Sequence, residues 1–238
     1  MSSQLRFELL SGRLLLEPGS SPLTERAKNV EWLEFKTRVP GSHWDVFEYR
    51  AREPLMGEEP LFYSSGLYRY RLFLRKSGGR LVAVSSRRKI VDHFMQENLA
   101  TFFCEEIHAL PVNVDGVVRQ LVAEPLRYGL TYCHARVPGY GESLRAISFY
   151  GEDLSEAKLF RDHLEALTFF TCGLREVKTK TGKRSGTEVV RLSNDGGISF
   201  FFGGVAGLKK VERALGFLRS GGFLLENTSG SGEEWRAP

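Results

Sequence analysis

The chain has 238 residues, 42% of them hydrophobic, with 33 Lys and Arg against 29 Asp and Glu for a formal charge of +4. A chain of that size buries a real core without disulfide staples. No apolar run approaches the roughly 18 residues that a membrane span needs, so the expected protein is cytoplasmic and off the membrane.

In chain order, "QLRFELL" and "RLLLEP" predict a hairpin that turns at Ser11-Gly12. Arg6, Glu8 and Arg13 interrupt the apolar residues there, so the segment lacks the core of a signal peptide. Residues 30–50 alternate weakly around Trp32, Phe35, Trp44 and Phe47 and read as strands, and "REPLMGEEP" reads as a loop. Two strands follow, joined by Ser77-Gly78-Gly79. Period-two alternation puts Tyr68, Tyr70, Leu72 and Leu74 on one face, and Arg69, Arg71, Phe73 and Arg75 on the other. Val91, Phe94, Met95, Leu99 and Phe102 then have the spacing of a helix with one apolar face, capped by Ser85 or Ser86.

After a Pro-containing loop at 110–116 and a short helical patch, Leu130–Val137 and Leu144–Tyr150 read as strands around "PGYGE". Residues 153–167 predict one helix that carries Ala157, Phe160, Leu164 and Leu167 on a stripe, with Asp153 at its capped start. Strands at 168–178, 187–192 and 198–202 come next, then a helix burying Leu208, Val211, Leu215 and Leu218, and "GGFLLE" as a closing strand. The fold class is therefore α+β, mainly antiparallel sheet with three or four helices. The C-terminal order of elements is that of a ferredoxin-like half. "RVPG" at 38–41 recurs at 136–139, which suggests two lobes: 1–125 with the basic hairpin and 126–226, followed by a flexible tail at 227–238.

Charge is distributed unevenly. Residues 60–91 contain no acid, and the stretch "GLYRYRLFLRKSGGRLVAVSSRRK" holds eight Lys and Arg. A basic strand face with Phe73 among Arg69, Arg71 and Arg75 has the composition of a nucleic-acid platform, and equally of an edge strand guarded against aggregation. Arg87, Arg88 and Lys89 open a helix, where cations oppose the helix dipole and call for an anion. Lys178, Lys180, Lys183 and Arg184 surround a Gly-containing hairpin loop suited to tracking phosphates. These ten cations predict a protein that contacts the phosphate backbone of DNA or RNA, as a subunit of a larger complex. A protein partner or a homo-oligomer fits the same surface.

The catalytic alternative is a metal-dependent nuclease built on Glu176-Val177-Lys178, a Glu-x-Lys on a strand, with Glu34-Phe35-Lys36 as an earlier copy. Its upstream acids, Asp153 and Asp162, fall in the predicted helix instead of on a preceding strand. The five histidines show no metal-ligand spacing, Cys104, Cys133 and Cys172 read as buried free thiols, and "FFFGGVAGLKK" lacks the frame of a phosphate loop. No cofactor or metal is expected.

Overall fold

A computed structural model describes residues 8–16, 30–52, 54–55, 62–64, 67–76, 80–99, 109–124, 127–137, 146–180, 183–185 and 188–225. The alternating segments form thirteen strands: β1 (Glu8–Leu16), β2 (Leu33–Arg38), β3 (Trp44–Ala51), β4 (Phe62–Ser64), β5 (Leu67–Lys76), β6 (Arg80–Ser85), β7 (Tyr128–Arg136), β8 (Ala146–Tyr150), β9 (Thr168–Glu176), β10 (Lys178–Lys180), β11 (Lys183–Ser185), β12 (Glu188–Ser193) and β13 (Gly197–Phe202). Four α-helices accompany them among the described residues: α1 (Arg88–His93), which continues into a wide turn at Phe94–Leu99, α2 (Val114–Ala123), α3 (Lys158–Asp162) and α4 (Gly204–Ser220). The fold is α+β and mostly antiparallel sheet, as the sequence predicts. No described helix is long and apolar enough to cross a membrane.

Eleven strands make one sheet in the order β2-β3-β5-β6-β1-β13-β12-β9-β7-β8, with β4 added beside β5. Alternation along each strand feeds two cores on opposite faces. Leu10, Leu14, Phe73, Val82, Val84, Phe200 and Phe202 share one cluster with α2 and α4. Leu15, Tyr49, Tyr70, Leu72, Leu74 and Ala83 join Ile90, Val91 and Phe94 in the other. The sheet curls toward the first face. Trp44 of β3 and Phe200 of β13 have ring centroids 5.8 Å apart, although β5, β6 and β1 lie between them in pairing order. Four steps across a flat sheet, at about 4.8 Å each, would put them about 19 Å apart.

The N-terminal hairpin is replaced by a single strand. β1 runs straight through Ser11-Gly12, pairing with β6 on one side and β13 on the other. Ser-Gly is a turn signal in isolation, but here the glycine serves close approach. A Cβ on Gly12 would lie 1.9 Å from the Ala83 carbonyl oxygen.

Two other predicted elements change. The helix at 153–167 breaks into a 3₁₀ turn at Leu154–Glu156, α3, and a second 3₁₀ turn at Leu164–Ala166. Its deeply buried apolar residues are Leu154, Phe160 and Leu167. Leu154 and Phe160, six apart, would lie about 120° from one another around a straight helix, so a single helix would not turn both to the same core. "GGFLLE" contributes one bridge, Val112 to Leu224, instead of a strand. The turn at 77–79, the loop at 56–61 and the tail at 227–238 lie outside the described residues.

Gly12→Ala is expected to destabilise the protein by about 3 kcal/mol, the upper end of overpacking costs, because the colliding atom is backbone and cannot rotate away. Gly216→Ala, inside α4 with nothing within 4 Å of the added carbon, is expected to stabilise by up to about 1 kcal/mol. Urea midpoints of the two variants check this pair of opposite signs.

Candidate nucleic-acid interface

The β5 arginines do share a face with Phe73, as alternation requires, but the face is not bare. Phe73 is fully buried, with its ring 5.5 Å from that of Phe202. Arg75 pairs with Glu212 of α4 at 3.2 Å and is 14% exposed. Arg69 lies 3.3 Å from Glu48, which also meets Arg50 at 3.0 Å and Lys36 at 3.4 Å. Arg71 stands opposite Glu48 in the β3-β5 register. Acids contributed by β2, β3 and α4 thus answer a stretch of sequence that contains none. The earlier Glu-x-Lys belongs to the same network, with Lys36 donating to Glu34 at 2.6 Å.

The cationic helix start is answered in the same way. Arg87 is the N-cap of α1 and no side chain caps the helix. The capping role predicted for Ser85 fails because its hydroxyl is buried and donates to the Arg71 carbonyl. Arg88 binds Asp195 at 2.5 Å and lies 3.6 Å from Asp92. Arg13 bridges the same two acids, at 2.6 Å to Asp92 and 3.4 Å to Asp195. The anion this helix start calls for is therefore a side chain from the β12-β13 turn. Arg87 and Lys89 remain solvent-exposed beside it.

Burial by itself raises the Asp195 carboxyl pKa. Hydrogen bonds from Ser193 and Arg88, the Arg88 charge and the Gly197 N–H more than offset that and hold it at about 2.

The third basic segment is a hairpin. β10 and β11 form a two-stranded sheet of their own, inserted between β9 and β12, with Lys178 opposite Ser185, Thr179 opposite Arg184 and Lys180 opposite Lys183. Residues 177–187 contain no acid. The preceding Glu176 is held by Arg213 at 2.9 Å and Arg127 at 3.1 Å. Hydrogen bonds from Arg213 and Arg127 keep its carboxyl below the usual carboxylate range, against the effect of burial.

That pairing also bears on the nuclease alternative. Glu176 is neutralised by two arginines, and Asp153 pairs with the buried Arg175 at 3.2 Å. Among the described residues no three His, Cys, Asp or Glu side chains converge as metal ligands. Cys133 and Cys172 face each other across β7 and β9, both fully buried. Burial raises both thiols, Cys172 to about 12, so neither is a thiolate at neutral pH. Cys104 lies outside the described residues. A cavity of about 100 Å³ between Leu14, Leu110, Leu215 and the Arg75-Glu212 pair is well under the roughly 300 Å³ at which small-molecule sites begin.

The sequence reading missed a cluster on the sheet face opposite α2 and α4. Tyr150 of β8 is 73% exposed. It stands opposite Tyr132 of β7 with ring centroids 4.9 Å apart. On the far side of Tyr132 the partner position on β9 is Gly173, and beyond it Arg191 of β12 reaches back to lie 4.4 Å from the Tyr132 centroid. Gly173 leaves the room for this. A Cβ there would lie 2.3 Å from Glu188 Oε2 and 2.9 Å from Thr131 Oγ1. Glu188 accepts from Thr131 at 2.9 Å and from Arg191 at 3.2 Å, which fixes the guanidinium over the ring. One row along, His134 bonds Ser148 at 2.9 Å and sits 6.4 Å from the Phe170 ring. Alternation in "LTYCHA" and "ISFY" separates Tyr132 and Tyr150 from the buried Cys133 and from Phe149, but only strand register brings the tyrosines together.

Compared with known proteins, the chain matches no family model and no curated protein.

Asp195→Asn is expected to lower stability at pH 7. The Asp195 carboxylate contributes fully above its unfolded value of 3.8, and its contribution is lost as pH falls toward about 2. The deficit of the variant should therefore shrink between pH 4 and pH 2, measured by urea unfolding across that range. A deficit independent of pH would contradict the Arg88 and Arg13 pairing.

Proposed function

We propose that the protein binds nucleic acid through its phosphate backbone and works as a subunit of a larger complex, with the basic hairpin β10-β11 as the principal contact. One observation carries this reading. β10 pairs with β11 so that Thr179 faces Arg184 and Lys180 faces Lys183, which gathers Lys178, Lys180, Lys183 and Arg184 on one two-stranded hairpin. Lys180 opposite Lys183 is a like-charge cross-strand pair, unfavourable by itself. A phosphate between such residues converts that cost into attraction, and releases counterions as it binds. Arg87 and Lys89, exposed at the start of α1, are a second contact in the same reading; Arg71 is part of the β5 face and ranks below them.

A ferredoxin-like C-terminal half is supported by α4 against β12 and β13 of its sheet. Two lobes, 1–125 and 126–226, are supported by a core cluster drawn from residues 15–94 alone. A second reading, an assembly subunit that meets protein instead, is favoured by Leu9 and Phe201, opposite one another on β1 and β13 and 46% and 51% exposed.

With four phosphates met, log affinity should fall against log salt with a slope of about −3 to −4. Replacing Lys178, Lys180, Lys183 and Arg184 together by Ala should weaken binding and flatten that slope, read by fluorescence anisotropy of a labelled oligonucleotide. Absence of binding by the intact protein at low salt would overturn the proposal.

A further inference from the structure

We infer that the face carrying Tyr150, Tyr132 and Arg191 is a stacking platform for the unpaired bases of a single-stranded nucleic acid. The inference rests on the proposed hairpin contact and specifies its ligand. The geometry is that of a ladder of flat groups running across strands. Tyr150 and Tyr132 have ring centroids 4.9 Å apart at an interplanar angle of 43°, and Arg191 closes the other side of Tyr132 at 4.4 Å. Tyr150 ends the ladder on the last strand of the sheet, with most of its ring open to solvent. A base that stacks there extends a row whose inner members are already in place.

The ladder is built to stay in place. Arg191 is anchored by Glu188, Glu188 by Thr131, and the strand between them offers a glycine so that the guanidinium can cross to the ring. A guanidinium over a tyrosine face stabilises it by the attraction of cation and ring quadrupole, and leaves a rigid polar-aromatic surface instead of a mobile side chain. Nothing about Arg191 is required for core packing, since Val190 and Leu192 on either side of it fill the opposite face.

Charge complementarity chooses the occupant. β9 and β12, which hold Gly173 and Arg191, lead directly into β10 and β11, so platform and basic hairpin are continuous along the same two strands. From Gly173 to Lys178 is about 17 Å of extended chain at about 3.3 Å per residue. A strand of nucleic acid places bases and phosphates on opposite edges along its whole length, and so meets both surfaces at once. Duplex bases are stacked on one another and have no free face to give, whereas unpaired bases do.

The test uses the full chain and two labelled probes, a twelve-nucleotide oligothymidine and a duplex of the same length, at one fixed salt concentration. The intact protein should bind the single strand more tightly. Tyr150→Ala should weaken single-strand binding about 5-fold to about 100-fold, the range for loss of one base-aromatic stack, with the salt slope and the duplex affinity unchanged because no charge is lost. Tyr150→Phe should bind as the intact protein does. Tyr150 is exposed, so an unaltered urea midpoint for each variant is expected and confirms that folding is not what is being read. Equal single-strand affinity for Tyr150→Ala and the intact protein, while the hairpin variant loses binding, would overturn the platform and leave the hairpin contact standing. A preference of the intact protein for the duplex would also overturn it. No binding of either probe by the intact protein would overturn the hairpin contact as well.

Discussion

The close approach of β1 to β6 at Gly12 is the constraint on which the rest of the structure depends. β1 is the strand through which the N-terminal and C-terminal halves join, with Leu10 and Leu14 facing one core and Leu15 the other. Gly12 and its neighbours Leu10 and Leu14 point to the same face by alternation, and that is the face toward which the sheet curls. With no side chain at that point the backbone of β6 folds over β1. The curl then brings aromatic rings of β3 and β5 against those of β13, at 5.8 Å for Trp44 and Phe200 and 5.5 Å for Phe73 and Phe202. One missing side chain thus lets strands far apart in pairing order share a single core.

Curling also decides what happens to charge. The concave face draws β5 toward α4, so Arg75 finds Glu212, 137 residues away in sequence. On the other side of the sheet the β12-β13 turn brings Asp195 beneath α1, where Arg88 and Arg13 share it with Asp92. Exposed pairs of this kind contribute little stability individually, but they remove cations from the surface available to a ligand. The hairpin β10-β11 forms a two-stranded sheet of its own, outside the main sheet. It follows β9 and precedes β12, the strands that hold Gly173 and Arg191, while the Tyr132-Tyr150 row lies on the sheet face opposite α2 and α4.

Much of the fold was legible in the sequence. Period-two alternation correctly assigned β5 and β6, the two faces of β5, and most C-terminal strands, because burial on one face imposes that pattern residue by residue. It failed at Ser11-Gly12, where a glycine required for close packing has the same local appearance as a glycine required for a turn. It failed again at 153–167, where apolar residues at helical spacing belong to three short turns that each reach the core separately. The cationic segments were visible too, but their standing was not.

What the sequence by itself determined is the α+β class, the inward and outward faces of most strands, and the location of every cation. Each of these depends on neighbours within a few positions. Only the tertiary structure decided which acids Arg13, Arg69, Arg75 and Arg88 meet, that β1 lies at the centre of the sheet, and that Tyr132, Tyr150 and Arg191 form one row. Strand register and sheet curvature bring together residues tens to hundreds of positions apart, and no local pattern encodes the partner of a side chain that far away.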